Sequence, residues 1–201
     1  MTEIHYASKG AEPGSPRRAM IDSQLRPSGV NEPWALSAIA AVAREDFVPQ
    51  ESRAAAYIDR AVPLGNGRYL PAPLYHGKAV ATAEPRKTDK VLVVTVGSDY
   101  LPALLRSLVA SVDTVDAGDL AKGLSGSGYS LIVVDGAAEE IPAVLIDALA
   151  ADGRLVTGII NKSVTRIALG RKSGNALSYL PLLEMGIPAI PELAAPKRWS
   201  F

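Results

Sequence analysis

Apolar residues in this chain occur in short runs that polar or glycine-containing turns separate. The run at 90–96 is mostly apolar, which is typical of a parallel strand covered on both faces. A turn with a single glycine follows it, and the next apolar run, at 101–110, has the length of a helix. Further buried strands are predicted at 111–116, 131–136 and 154–160, and a further helix at 139–150.

The residues before the strand at 90–96 predict helices and one long loop. Helices are expected at 17–25, from Asn31 to about 43, at 50–57 and at 74–83. The buried stripe of the second helix is predicted to consist of Trp34, Ala38, Ala41 and Val42. Glycine and proline are frequent at 61–73, which indicates a loop.

Strands that alternate with helices indicate an α/β fold with an open, mostly parallel sheet. Two last strands, at 165–170 and 176–182, flank a turn and predict an antiparallel hairpin at one edge of the sheet. The predicted organisation is a flexible tail at 1–16 and a single domain at 17–201, with a helical cap over 17–83 and the sheet over 84–201.

The composition argues against several functional classes. The 201 residues include 21 basic and 21 acidic ones, a balance that favours neither nucleic acid nor an anionic membrane surface as a partner. Cysteine is absent and the only histidines are His5 and His76, so we expect no metal site. The sequence contains no recognisable signal peptide or membrane span, and we expect a soluble cytoplasmic protein. Nothing in it indicates an oligomeric state.

Four segments of the chain together resemble one family. The segment 20–30 reads MIDSQLRPSGV, and 42–49 reads VAREDFVP, close to that family's V-P-R-E-x-F-V-P. The segments 133–138, VVDGAA, and 153–156, GRLV, are similar to its I-V-D-G-A-A and G-G-R-L-V. In this order and at these spacings, they resemble the protein-L-isoaspartate O-methyltransferase family over residues 17–201.

The resemblance implies a Rossmann-like S-adenosylmethionine-dependent methyltransferase fold. Members of the family methylate the abnormal carboxylate of isoaspartyl residues in damaged proteins, which begins their repair. The implied cofactor is therefore S-adenosylmethionine, and the implied partner is a protein or peptide that contains isoaspartyl residues. The sulfonium is already a good leaving group, so catalysis needs mainly the alignment of carboxylate and methyl group and the exclusion of water.

The cofactor motif of that family, acid-x-G-[ST]-G-[ST]-G-Y, falls on residues 93–100. Gly97 and Ser98 fit it, whereas Thr95 and Asp99 stand where the family has glycine. The resemblance implies cofactor contacts from these four residues. If Thr95 and Asp99 had to adopt a positive φ, each would cost on the order of 1–3 kcal/mol. The alternative is a loop that only turns the chain and binds no ligand.

Two acidic residues at predicted strand ends complete the implied cofactor site. Asp116 follows Gly97 by a little under 20 residues, and an acid at about that spacing accepts hydrogen bonds from ribose hydroxyls in dinucleotide-binding folds. Asp135 ends the strand at 131–136 and is the second candidate. For Asp116 the alternative is an ordinary solvated strand end.

The connection between these two acidic residues is short. A methyltransferase sheet normally has a helix, an edge strand and another helix at this point of the chain. The segment 117–129 holds about a dozen residues, enough for one crossover but not for an additional strand. The sequence therefore predicts that one edge strand is lost.

The substrate loop of the family, T-I-S-x-P, falls on residues 69–73, and only its last proline is retained, as Pro73. Pro71 replaces the serine that is the family's proposed catalytic residue, and proline has neither a hydroxyl nor an N–H group to offer. The sequence therefore identifies no catalytic residue. His76 follows closely and is predicted to be a surface residue at an exposed helix start.

Two functional hypotheses from different classes remain open. The first is an active methyltransferase of the isoaspartyl family. The second is a non-catalytic descendant that uses the same fold to bind or assemble with another protein, which the missing glycines, the lost edge strand and Pro71 favour. A nicotinamide-binding protein is disfavoured because it would need the same glycines. Binding of S-adenosylmethionine would discriminate the first two, since the fold alone does not.

Overall fold

The computed structural model of the protein describes residues 14–196. Its helices are α1 (Pro16–Met20), α2 (Pro33–Ala41), α3 (Pro73–Ala83), α4 (Tyr100–Arg106) and α5 (Ala143–Ala148). A π-helical turn at Ile21–Leu25 continues α1, and 3₁₀ turns lie at Arg44–Phe47, Gln50–Ala55, Ala117–Lys122 and Pro191–Leu193. The predicted tail lies almost wholly outside the described residues.

Within residues 14–196, eight strands form two sheets. They are β1 (Val62–Gly65), β2 (Arg68–Leu70), β3 (Lys90–Thr95), β4 (Ser111–Asp116), β5 (Tyr129–Ala138), β6 (Leu149–Asn161), β7 (Val164–Ser173) and β8 (Ala176–Glu184). The main sheet has the order β4-β3-β5-β6-β7-β8, and β1 pairs with β2 apart from it.

The main sheet confirms the predicted fold class. Strands β4, β3, β5 and β6 are parallel, whereas β6, β7 and β8 are antiparallel. In this sheet β4 is an edge strand, because the short connection after it contains only a 3₁₀ turn and a loop. The edge strand that the sequence predicts to be lost is therefore lacking from the described sheet.

Side chains that alternate along the central strands fill two cores. In β3, Val91 and Val93 contribute to the core beneath α1 to α4, whereas Leu92 and Val94 contribute to the core on the opposite face. That second face is covered by α5 and by the 3₁₀ turns at Ala117–Lys122 and Pro191–Leu193. Because both faces of β3 are buried, the strand reads as a continuous apolar run.

Three predicted segments differ from the observed ones. The loop predicted at 61–73 contains the β1–β2 hairpin, whose turn at residues 65–67 has positive φ at Gly65, Asn66 and Gly67. The helix predicted at 50–57 is a 3₁₀ turn. The helix predicted at 139–150 is reduced to α5, because the backbone N–H groups of 139 and 140 donate instead to a carbonyl of the C-terminal segment.

The predicted buried stripe of α2 is also displaced around the helix. Ala38 is buried as predicted, but Ala41 is exposed, and the face that packs against α3 and α4 also includes Leu36 and Ile39. Alanine-rich helices give a weak periodic signal, so tertiary contacts decide which face is buried. Within residues 14–196, the structure contains no helix long and apolar enough to cross a membrane.

Candidate functional site

The turn after β3 is the first part of the candidate site. Gly97 has a φ of 90°, whereas neither Thr95 nor Asp99 has a positive φ. The side chain of Thr95 is buried and donates to the carbonyl of Val115 at 3.4 Å. The backbone therefore makes this turn with one glycine, and the strain considered for Thr95 and Asp99 does not arise.

The two residues after Gly97 have different environments. Ser98 is buried, and its hydroxyl donates to the carbonyl of Phe47 at 3.2 Å and accepts from the backbone N–H of Tyr100 at 3.4 Å. Asp99 is exposed at the N-cap position of α4. The Ser98 hydroxyl thus connects the turn after β3 to the 3₁₀ turn at Arg44–Phe47, while the Asp99 carboxyl faces solvent.

Asp116 ends β4 directly beside Thr95, the last residue of β3. Both of its carboxylate oxygens accept from Nη1 of Arg68 at 2.7 Å, and Oδ1 also accepts from the backbone N–H of Gly118 at 2.9 Å. Partial burial opposes ionisation, but these hydrogen bonds prevail and lower the pKa of Asp116. The acid predicted to bind ribose is therefore paired with an arginine from the β1–β2 hairpin.

The same arginine also contacts the C-terminal segment. Nη2 of Arg68 donates to the carboxylate of Glu192, and the hydrogen bonds to Asp116 and then to Glu192 raise the pKa of Arg68. We call the space between the ends of β3 and β5 the crevice; it is lined by Arg68, Tyr69, Val96, Asp135 and residues 188–192. Its volume is about 10 Å³, room for about one water molecule.

Asp135 lies within β5, one residue beyond the last residue that pairs with β3, and is fully buried. Its Oδ1 is 2.9 Å from Nε2 of His76, and Nδ1 of His76 is 3.0 Å from Nη1 of Arg44. Arg44 also donates to the carbonyls of Ala56 at 2.7 Å and Pro71 at 2.5 Å. The prediction that His76 is a surface residue is wrong, since only 1% of it is exposed.

The partners of His76 determine its protonation. A guanidinium can only donate, so Nδ1 of His76 must accept, and the ring proton then lies on Nε2 and is donated to Asp135. Burial lowers the pKa of His76, and the nearby Asp135 does not offset this effect. The structure therefore contains a buried chain of groups, Arg44–His76–Asp135, with a neutral imidazole at its centre.

A second, larger cavity lies on the other side of the hairpin. This outer cavity has a volume of about 710 Å³ and is lined by 59–61, Gly67, Tyr69, Ala72, Leu74, Thr165 and 185–189. It shares Tyr69, Pro188 and Ala189 with the crevice, so these residues form the wall between the two spaces. The outer cavity is large enough for a small ligand or several peptide residues.

Sequence reasoning missed Arg44, His76 and Arg68. For His76 a signal existed, because His76, Ala79, Val80 and Ala83 recur at helical spacing and form the buried face of α3. Arg68 is separated by 48 residues from Asp116, and no local pattern connects them. Of the predicted cofactor residues, the structure brings Gly97 and Asp116 to one corner, and places Asp135 within the neighbouring strand β5, just beyond its pairing with β3.

Comparisons with known proteins agree with this architecture. The family profile described as protein-L-isoaspartate(D-aspartate) O-methyltransferase matches residues 16–124. The protein-L-isoaspartate O-methyltransferase of Roseiflexus sp. (strain RS-1) is 32% identical over 186 residues, which cover 80% of this chain and 85% of that protein. The protein of the same name from Gloeobacter violaceus is 35% identical over 165 residues, covering 70% and 80% respectively.

Two solved structures have a similar fold. One, assigned as a protein-L-isoaspartate O-methyltransferase of Plasmodium falciparum in complex with S-adenosyl-L-homocysteine, has a TM-score of 0.69 and 16% identity, covering 88% of this chain and 98% of that one. Another protein-L-isoaspartate O-methyltransferase has a TM-score of 0.68 and 18% identity, covering 89% and 67%. At these identities the likeness concerns the fold.

Proposed function

Because the chain belongs to the protein-L-isoaspartate O-methyltransferase family, we propose that it methylates the carboxylate of isoaspartyl residues in proteins, with S-adenosylmethionine as methyl donor. The observation that carries this proposal is that the crevice and the outer cavity lie next to each other and share one wall, formed by Tyr69, Pro188 and Ala189. The crevice is lined by Val96, directly before Gly97, and by Arg68, which binds Asp116. It lies at the strand ends where nucleosides bind in open α/β sheets, and the outer cavity begins on the other side of Tyr69.

The residues of the crevice fit the cofactor only in part. A Cβ atom added at Gly97 would meet no described atom within 4 Å, so a ligand can approach this backbone, and Asp116 has the position of a ribose acceptor. The crevice has a volume of only about 10 Å³, however, and Arg68 forms hydrogen bonds with the carboxylate of Asp116. The cofactor therefore does not fit until Arg68 moves. When bound, it would supply an activated methyl group.

The outer cavity is the proposed site of the protein substrate. Arg60 lines this cavity and is exposed, so its guanidinium can attract a substrate carboxylate. Pro71 offers no hydroxyl, but transfer of a methyl group from a sulfonium depends mainly on alignment and on exclusion of water. We propose that 17–83 provide the substrate side of the site and 84–201 the cofactor side.

The direct test is methyl transfer to a synthetic peptide. The chain should methylate an isoaspartyl peptide and leave the matched aspartyl peptide unmodified, and millimolar S-adenosylmethionine should raise the melting temperature. At 100 times its Kd, a ligand adds about 2.7 kcal/mol of stability. Absence of both effects would contradict the proposal and favour a non-catalytic protein of the same fold.

The substrate side can be tested separately. Arg60→Ala should raise the KM for the isoaspartyl peptide about tenfold, with little change in affinity for S-adenosylmethionine, because the charge pair with the carboxylate is lost. Arg53→Ala is the matched control, since Arg53 is an exposed arginine in the preceding 3₁₀ turn and does not line the cavity. An unchanged KM in Arg60→Ala would exclude Arg60 as the carboxylate-binding residue.

A further inference from the structure

Two acidic residues bind the Arg68 side chain, and a third lines the crevice beside it. Asp116 and Glu192 accept hydrogen bonds from it, and Asp135 lines the same crevice. Asp116 ends β4, Asp135 lies within β5, and Glu192 belongs to the C-terminal 3₁₀ turn. One guanidinium therefore pairs with two carboxylates at the edge of a crevice that Asp135 also lines and that holds about one water molecule.

Asp135 provides an independent indication of a ligand. Its Oδ1 is occupied by His76, but Oδ2 is buried and has no hydrogen-bond partner within residues 14–196. A buried acceptor without a donor costs about 1–3 kcal/mol, or more when it is charged. Because His76 is in turn held by Arg44, the carboxyl group cannot easily rotate away from the crevice. The site thus keeps an acceptor available for a group that is not part of the chain.

We propose that the crevice is a binding site for a cationic ligand, and that Arg68 fills it as an internal competitor until the ligand displaces it. This proposal rests on the proposed function, in which the ligand is the sulfonium form of an adenosyl nucleoside. Removing Arg68 leaves Asp116 and Glu192 without the guanidinium that pairs with them, close to Asp135, whose Oδ2 has no hydrogen-bond partner within residues 14–196. The opened crevice would therefore favour a cationic nucleoside over a neutral one of the same shape.

The position of Arg68 makes this displacement possible. Arg68 begins β2 directly after the exposed turn at 65–67, and within residues 14–196 β2 pairs only with β1; Val62 and Leu70, at the far ends of the two strands, are buried. The side chain of Arg68 is 21% exposed, so water can compete for its ion pairs. The opposite wall is firmer, since residues 188–190 exchange backbone hydrogen bonds with Ala137 of β5. The hairpin is thus the part that we expect to move.

Titration calorimetry of the full chain tests the competition. Affinities for S-adenosylmethionine, which is cationic at sulfur, and for S-adenosylhomocysteine, which is not, are measured for the wild type and for Arg68→Ala. Arg68→Ala should bind S-adenosylmethionine about five- to tenfold more tightly than the wild type, because the site no longer has to be vacated. Arg53→Ala, which removes an exposed arginine outside the crevice, should leave both affinities unchanged.

The charge preference is tested by a second substitution. In the Arg68→Ala background, the preference for S-adenosylmethionine over S-adenosylhomocysteine should exceed that of the wild type, and Asp135→Asn should reduce it again. Asparagine retains an acceptor for His76, so the buried chain of hydrogen bonds persists. If the double variant does not fold, Asp116→Asn in the same background replaces it.

The outcomes separate this proposal from the proposed function. If the wild type binds the cofactor as tightly as Arg68→Ala, or more tightly, Arg68 is not a competitor, although the methyltransferase assignment stands. If Arg68→Ala binds S-adenosylmethionine more tightly but neither protein methylates an isoaspartyl peptide, the competition is supported and the proposed function fails. If no variant binds either nucleoside at millimolar concentration, both proposals are overturned.

Discussion

The burial and hydrogen bonding of several single residues in this protein depend on partners that lie far away in the chain. The buried Arg44 is the clearest case, because its guanidinium connects the backbone carbonyls of Ala56 and Pro71 with the ring of His76. A charged side chain that is 0% exposed is tolerated only when its hydrogen bonds are satisfied. Arg44 thereby holds the loop before α3 against the sheet.

Arg44→Met should lower the free energy of unfolding by about 3–5 kcal/mol, because it leaves two buried carbonyls and His76 without their donor. Arg44→Lys should restore little of this loss, since one ammonium group lacks the fork geometry needed to reach three acceptors. Urea denaturation gives the values, with the exposed Arg53→Met expected within about 0.5 kcal/mol of the wild type. A loss below about 1 kcal/mol for Arg44→Met would contradict this account.

The lowered pKa of His76 predicts a pH dependence of stability. Below its ordinary value of 6.5, the imidazole of the unfolded chain takes up a proton that the folded chain does not bind. Stability is therefore complete above pH 6.5 and falls towards pH 5, by at most about 1.4 kcal/mol per pH unit for one proton. His76→Gln should flatten this slope, whereas Lys78→Gln on the same helix should not. Melting curves from pH 5 to 8 measure it, and identical slopes in all three proteins would refute the assignment.

Among the elements, the C-terminal segment decides the shape of the crevice. The carbonyl of Pro188 accepts from the backbone N–H of Ala137, and the N–H of Ile190 donates to the carbonyl of Ala137, both at 2.8 Å. This contact lies against Gly136, where a Cβ would be 2.7 Å from Cγ1 of Ile190 and 3.1 Å from the Pro188 carbonyl. Glycine is thus needed at 136 for the segment to lie on β5.

Gly136→Ala should therefore destabilise the protein by about 1–3 kcal/mol, because the added methyl group forces the C-terminal segment away from the strand. Gly186→Ala is the matched control, since a Cβ there would meet no described atom within 4 Å, and it should change stability by less than about 0.5 kcal/mol. Thermal and urea unfolding of both variants provide the comparison. Equal stability of the two variants would show that the segment adapts without cost.

At the scale of the whole molecule, stability is distributed unevenly. The central strands β3 and β5 are buried on both faces, whereas the β1–β2 hairpin is joined by three residue pairs and lies outside the main sheet. The hairpin also carries Arg68, which connects it to β4 and to the C-terminal segment. The hairpin outside the main sheet thus closes the site that the central strands build.

Hydrogen exchange should reveal this difference. Amides of β3 and β5 should exchange only on global unfolding, and those of 62–70 much earlier. Arg68→Ala should accelerate exchange in the hairpin several-fold without affecting β3, because the ion pairs that hold the hairpin are removed. Exchange resolved by mass spectrometry after proteolysis tests this, with Arg53→Ala as control. Uniform exchange rates across hairpin and sheet would contradict the proposed mobility.

The parts of the fold that could be predicted are those that depend on residues close together in the chain. Continuous apolar runs at 91–94 and 131–134 predicted the buried parallel strands, and the turn before 176 predicted the β7–β8 hairpin. Both predictions succeeded because these signals are local in the chain. The β1–β2 hairpin escaped prediction because its strands have only four and three residues. The corner of Gly97 and Asp116 was predicted from the spacing of a little under 20 residues between them, and in the structure Asp116 pairs with Thr95 at the ends of β4 and β3.

By itself, the sequence determined the class of fold, the family and the corner where a nucleoside would bind, because each depends on patterns within a few tens of residues. Only the tertiary structure decided that His76 is buried between Arg44 and Asp135, and that Arg68 takes the carboxylate of Asp116. Those contacts join residues 32 to 59 positions apart. The physical reason is that charges and buried polar groups choose partners by distance in space, which no periodicity along the chain encodes.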